Sequence, residues 1–177
     1  MLKKLLYFVV FILLFYCCKK NKQRNYSKEE LKELKQKLTE VNRIITQKEI
    51  DRIRTFIRRN KWDMNQTNIG VWYMIIKKSN NKIPIKKGDK IEIKYKLSLL
   101  DGTLCYSSDS LGNKIFIVGN GEVEKGLDEG IKFLNEGDIA RFIIPSFLGY
   151  GIQGDNNCIP PRSTIIYEIE VVKRLIN

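Results

Sequence analysis

The residues best suited to chemistry crowd into one stretch, IPSFLGYGIQGDNNCIPPRST at 144–164, which holds three of the four prolines, glycines at 149, 151 and 154, and an Asp-Asn-Asn run. A connection longer than about 12 residues without regular structure is uncommon inside a compact domain, and an ordered one is usually functional. Phe147, Leu148, Tyr150, Ile152 and Ile159 make this one too apolar for a solvated linker, so it reads as a binding loop. The rest of the composition restricts what such a loop can do. There is no histidine, which removes the commonest general base, the Ser/His and Cys/His nucleophile pairs and most zinc or iron sites. The four cysteines are an adjacent pair, Cys17 and Cys18, and two distant singles, Cys105 and Cys158. None has the C-x-x-C spacing of a zinc ribbon or a thioredoxin-type motif. No metal and no cofactor is expected.

The elements that must position this loop show a period of two. In KIEIKYKLSL at 90–99, Ile91, Ile93, Tyr95, Leu97 and Leu99 alternate with polar residues, and TIIYEIEVV near the C-terminus repeats the pattern, as half-buried antiparallel strands do. LDGT at 100–103 reads as a turn, EKGLDEGIKFL as one short helix, with Gly126 and Gly130 as helix-end geometry, and DIARFII as another strand. The expected class is α+β: a curved antiparallel sheet wrapped on one short helix, preceded by an N-terminal helical arm.

In that arm, Ser27 and Glu30 form a capping box ahead of Leu31, Leu34, Leu38, Val41 and Ile45, and Thr46 and Glu49 form a second box ahead of Ile50, Ile53, Phe56 and Ile57. Two amphipathic helices are expected, packed on the domain or each other, or serving as a dimerisation arm for a homodimer. The first 62 residues carry 17 Lys and Arg against 6 Asp and Glu, so +11 of the net +12 lies there. The remainder is nearly neutral and has no basic stripe with interleaved aromatics, which argues against a nucleic-acid partner.

MLKKLLYFVVFILLFYCCKKNKQ has signal-peptide anatomy: two lysines, an apolar run, then cysteines and basic polar residues. As a helix, residues 5–18 span about 21 Å, short of a roughly 30 Å hydrocarbon core. The segment resembles a bacterial lipoprotein signal, with Cys18 as the acylated residue because Cys17 is a smaller predecessor than Tyr16. The expected organisation is a signal peptide at 1–17, a basic helical tether at 18–67 and a globular domain at 68–177. The mature protein is then a lipid-anchored membrane protein facing the periplasm of a bacterial envelope.

Three segments in order, GVWYMIIKKSNNKIPIKKGDKIEIKYKLSLLDGT, GEVEKGLDEGIKFLNEGDIARFIIPSFLGYG and CIPPRSTIIYEIEVVKRL, resemble an FKBP-type peptidyl-prolyl cis-trans isomerase domain over 70–175. With the signal, the arm and the GVWY entry, the chain also resembles the gliding-motility-associated isomerase lipoproteins of Bacteroidota. The resemblance implies that Tyr95, Phe116, Val123, Leu127 and Tyr167 form the walls and floor of a pocket for proline-containing polypeptides. Tyr150 would offer its hydroxyl to the substrate carbonyl and Ile159 would line the rim. Tyr95, Tyr150 and Tyr167 are the implied catalytic residues. Departures are expected to matter: Cys105 stands where the family has an aromatic, Tyr106 where it has an aspartate, Leu127 where it has a tryptophan and Glu124 where it has an apolar residue. The position of a further pocket aromatic falls near Lys114. In the family fold, Cys105 and Cys158 border the same subsite, so the resemblance brings them close, as a disulfide or as two separate thiols.

Overall fold

The structure is a computed structural model that describes residues 26–175. The signal segment, Cys17 and Cys18 lie outside the described residues. Among the described residues no helix is long and apolar enough to cross a membrane. The chain divides into two units between Arg43 and Ile44, so the globular unit takes in residues well before position 68.

Helix α1 (Lys28–Arg59) opens with the expected capping box: the Glu30 backbone N–H donates to Ser27 Oγ (3.1 Å) and the Ser27 N–H to Glu30 Oε2 (2.8 Å). Two helices were expected and one is found. No glycine or proline lies between Thr39 and Lys48, and the lower helix propensity of Thr, Asn and Ile there costs only tenths of a kcal/mol per residue, too little to break a helix. In the N-terminal unit, Leu31, Leu34, Leu38 and Val41 are exposed on α1.

In the globular unit, β1 (Asn65–Gln66), β2 (Trp72–Lys77), β3 (Lys90–Leu99), β4 (Leu104–Ser107), β5 (Lys114–Ile117), β6 (Ile139–Ile144) and β7 (Ile165–Leu175) form one antiparallel sheet in the order β1-β2-β6-β7-β3-β4. The long strand β3 is shared: its first half pairs with β5 (Ile91 opposite Phe116), its second with β4 (Leu97 opposite Tyr106). Along its whole length it also pairs with β7, Leu97 opposite Tyr167. Two short helices complete the unit, α2 (Ser108–Leu111) and α3 (Lys125–Gly130), the latter continued by a 3-10 turn at Ile131–Phe133.

One face of the sheet packs on α3 over a core that includes Ile91, Ile93, Leu97, Leu127, Phe142, Ile144, Tyr167 and Ile169. Gly126 and Gly130 earn their place by close approach, since neither has the positive φ of a helix-ending glycine. A Cβ on Gly126 would run into Ile144 Cγ2, and one on Gly130 would lie 2.8 Å from the Phe142 ring. The other face carries a second cluster, Trp72, Ile143 and Ile166 against Ile53, with Ile50, Phe56 and Ile57 around it. The second half of α1 is therefore a layer of the globular unit. Arg141 on that face stacks its guanidinium 4.0 Å from the centre of the Trp62 ring.

Candidate active site

Five pieces of chain build the candidate site against the α3 face of the sheet. Strand β3 supplies Tyr95 and β7 supplies Tyr167, neighbours through the β3–β7 ladder, with ring centroids 6.0 Å apart and planes tilted by 54°. Strand β5 brings Phe116 in by its pairing with Ile91. The turn after β5 delivers Val123 and Glu124 and runs into α3, which delivers Leu127; the Asp128 carboxylate accepts the Gly119 N–H at 2.6 Å and ties that turn to α3. The loop 145–164 brings Tyr150 and Ile159. Tyr95, Phe116, Leu127, Ile159 and Tyr167 are buried in one cluster, with Cys105, Tyr106, Val123 and Tyr150 half-buried against it. Tyr167 and Leu127 are wholly buried and form the floor.

Glu124 completes the set through polar contact. Its carboxylate accepts the Tyr167 hydroxyl at 3.1 Å and faces the Tyr150 hydroxyl. Burial above all, and then Glu124, push Tyr167 and Tyr150 well above the ordinary tyrosine range; the Tyr150 hydroxyl adds to the rise at Tyr167, whereas the Tyr167 hydroxyl partly offsets it at Tyr150. Tyr95 is raised for the same leading reason, burial, reinforced by Glu124 and Tyr106. All three phenols are protonated at neutral pH and can donate hydrogen bonds. Lys114, half-buried on β5, holds its ammonium 5.3 Å from the centre of the Tyr95 ring. The cleft thus has a carboxylate on one side and an ammonium on another, where an all-apolar pocket would have neither.

The loop is ordered by its own bonds. Ser146–Leu148 make a 3-10 turn, the Gly151 N–H donates to the Ser146 carbonyl (2.8 Å), and the Arg162 N–H donates to the Gly151 carbonyl (2.9 Å), joining its two limbs beside Tyr150. Asp155 organises the tip: it accepts the N–H groups of Asn157 (2.9 Å) and Ile159 (2.8 Å) and the hydroxyl of Tyr106. Desolvation alone would raise the Asp155 pKa, but these donors outweigh it and hold the carboxyl below its usual range. Asn157 also donates to the Tyr106 hydroxyl at 3.1 Å. Tyr106 is thus turned to the loop. Cys105 and Cys158 are joined as a disulfide, Cα atoms 5.5 Å apart, stapling β4 to the same tip.

The structure therefore brings together all ten globular-domain residues singled out in the sequence. Sequence reasoning missed the roles of Asp155 and Asn157; a Gly-flanked Asp-Asn-Asn run, prone to side-chain-to-backbone turns, is the signal that could have found them. It also missed Glu49 as a partner of the loop.

The comparisons agree with this geometry. Residues 81–172 match the FKBP-type peptidyl-prolyl cis-trans isomerase family. The chain is 38% identical over 111 residues to peptidyl-prolyl cis-trans isomerase FKBP15-1 of Arabidopsis thaliana, covering 62% of this chain and 71% of that protein. It is 39% identical over 101 residues to FKBP2 of Homo sapiens, covering 55% and 71%. The crystal structure of AtFKBP13 superimposes with a TM-score of 0.60 at 26% identity, over 64% of this chain and 99% of that one. By the family match over 81–172 and the identity to these relatives, with a shared fold, the chain belongs to the FKBP-type peptidyl-prolyl cis-trans isomerase family.

Proposed function

We propose that the protein is a membrane-anchored isomerase that turns X-Pro bonds of exported proteins in the cleft bounded by Tyr95, Phe116, Val123, Leu127, Tyr150, Ile159 and Tyr167. The convergence of these residues in one cluster, with a protonated tyrosine hydroxyl at its edge, carries the reading. Amide resonance sets a barrier of about 18–20 kcal/mol to X-Pro rotation. Removing water from the carbonyl and placing a donor for the twisted amide lowers it without nucleophile, metal or proton transfer. Tyr150 is the donor, and an incoming carbonyl competes with Glu124 for its hydroxyl. Replacing Tyr150 with Phe should slow isomerisation of a short X-Pro peptide about five-fold, the equivalent of about 1 kcal/mol for one hydrogen bond. A folded wild-type domain that leaves the spontaneous rate unchanged would sink the catalytic reading.

Two further features support export and anchoring. The Cys105–Cys158 disulfide suits an oxidising compartment such as the periplasm. Cys18, preceded by a small residue and a short apolar run, is the acylation site, and Lys19, Lys20, Lys22 and Arg24 add attraction to anionic lipid. Cys18→Ser should abolish labelling by radioactive fatty acid and leave the domain folded; labelling that persists and is lost only with Cys17→Ser moves the anchor by one residue. The exposed row Leu31, Leu34, Leu38 and Val41 supports self-association through the arm.

A second reading, a holdase or assembly factor of a motility or secretion machinery, is favoured by one observation. Tyr106, at the family's aspartate position, is bonded to Asp155 and Asn157. That leaves the cleft able to hold a proline segment with one fewer polar group directed at the peptide.

A further inference from the structure

Glu49 stands half-buried on α1 in the row Ile45, Glu49, Ile53, the last of which is fully buried. Its carboxylate accepts three hydrogen bonds from two segments far away in sequence. The Ser146 N–H donates to Oε1 at 2.7 Å, the Ser146 hydroxyl to Oε2 at 2.8 Å, and the Thr164 hydroxyl to Oε1 at 2.7 Å. Ser146 and Thr164 are both buried, and they are the two feet of the loop that presents Tyr150 and Ile159. The grip reaches the cleft in one further step. The Ser146 carbonyl accepts the N–H groups of Gly149 (3.1 Å) and Gly151 (2.8 Å), the two neighbours of Tyr150. Next to the other foot, the Arg162 N–H reaches the Gly151 carbonyl.

We propose that Glu49 is a positioning residue for the isomerase reaction, clamping both feet of the loop so that the Tyr150 hydroxyl is held over the cleft. The inference rests on the cleft reading above. Charged acceptors make the stronger hydrogen bonds, and a half-buried carboxylate held by three donors, two of them on buried residues, is a rigid anchor. A placement error of about 1 Å at a catalytic group can forfeit what that group contributes to the rate, so losing the anchor matters even though Glu49 touches no substrate.

The test compares the full chain with Glu49→Ala, Glu49→Gln, Tyr150→Phe and Glu49→Ala/Tyr150→Phe, each checked for folding. Glu49→Ala should lower kcat/KM on a short X-Pro peptide by about three-fold, within the roughly five-fold that the Tyr150 hydroxyl through which it acts contributes. Amide exchange should accelerate in residues 146–164 while β7 keeps its protection. Glu49→Gln should recover most of the rate, because its amide oxygen accepts from the Ser146 N–H and Thr164 hydroxyl and its NH2 donates to the Ser146 oxygen. In the Tyr150→Phe background the Ala substitution should cost less than half as much in log rate, the non-additivity expected when one residue acts through another. Where Glu49→Ala fails to fold, Thr164→Val removes one bond without touching the helix and should give the same pattern at smaller amplitude.

Wild-type kcat/KM in folded Glu49→Ala, an equal loss with and without the Tyr150 hydroxyl, or exchange that accelerates as much in β7 as in the loop would each overturn the proposal. Silence of Tyr150→Phe alone is a different failure: it removes the cleft assignment. Glu49 is then judged on whether Glu49→Ala lowers kcat/KM with β7 still protected.

Discussion

Tyr167→Ala should destabilise the domain by about 3–5 kcal/mol, the range for truncating a large buried aromatic, and should lower the isomerase rate more than loss of the Tyr150 hydroxyl does. Tyr167 is wholly buried in the central strand β7, between β3 and β6, opposite Leu97 and Phe142. Its ring leans on Tyr95 and its hydroxyl holds Glu124. Truncation therefore opens a cavity in the floor and leaves the Glu124 carboxylate without its donor, two costs of different origin. Tyr167→Phe separates them: it keeps the ring and should cost about 1 kcal/mol, the scale of one hydrogen bond. Urea titration at constant m-value measures both, with the disulfide kept oxidised throughout. A Tyr167→Ala loss no larger than that of Tyr167→Phe would mean that the ring is not part of the floor.

The elements that position the site were legible because local periodicity encodes them. Alternation in 90–99 gave β3 and its inward row, and the apolar, Gly- and Pro-rich segment at 144–164 was recognisable as an ordered loop from composition alone. The cleft residues came from a resemblance, and the structure gathers them. What escaped was long-range pairing. The Tyr167–Glu124 and Tyr106–Asp155 bonds and the Glu49–Ser146 contacts span 43, 49 and 97 residues, and no periodic pattern records such partners; the nearness of Cys105 and Cys158, 53 residues apart, came from the resemblance, which left open the disulfide that the structure forms. The outer layer did leave a trace. Ile165-Ile166-Tyr167 and Phe142-Ile143-Ile144 break the alternation expected of a strand with one wet face, and continuous apolar runs mark burial on both sides. Glu49 left one too, a carboxylate in line with Ile45 and Ile53 on a helix face that is otherwise apolar. Read as half of a second capping box, it suggested a helix end; its bonds instead go to the loop.

Glu124 and Lys114 make this cleft different in kind from an apolar pocket. Tyr167 donates to the Glu124 carboxylate, which also acts on Tyr150, so a substrate carbonyl approaching the Tyr150 hydroxyl meets a competing internal acceptor. Such competition lowers the net gain from the Tyr150 hydroxyl toward the modest end of what a hydrogen bond contributes. It is also the physical reason to expect a moderate rate enhancement with the family fold intact.

Replacing both Cys105 and Cys158 with Ser should remove about 4 kcal/mol of stability, as the chain-entropy model gives for a closed loop of this length. The bridge spans 53 residues, from β4 across β5, α3 and β6 to the tip of the 145–164 loop, so the unfolded chain gains much freedom when it is absent. The folded state loses little shape, because Asp155 still ties that tip to Tyr106 and to the Ile159 backbone. Stability should thus fall further than activity, the opposite of what Tyr150→Phe does. Denaturant titration of the oxidised protein, the Ser/Ser variant and the wild type in reductant measures the first quantity, and the peptide assay well below the unfolding midpoint measures the second. Reduced wild type and the Ser/Ser variant should coincide. Mass spectrometry of the non-reduced protein should find it lighter by two hydrogens than its reduced form; two free thiols there, or a stability unchanged by reductant, would show that the loop is held by its hydrogen bonds alone.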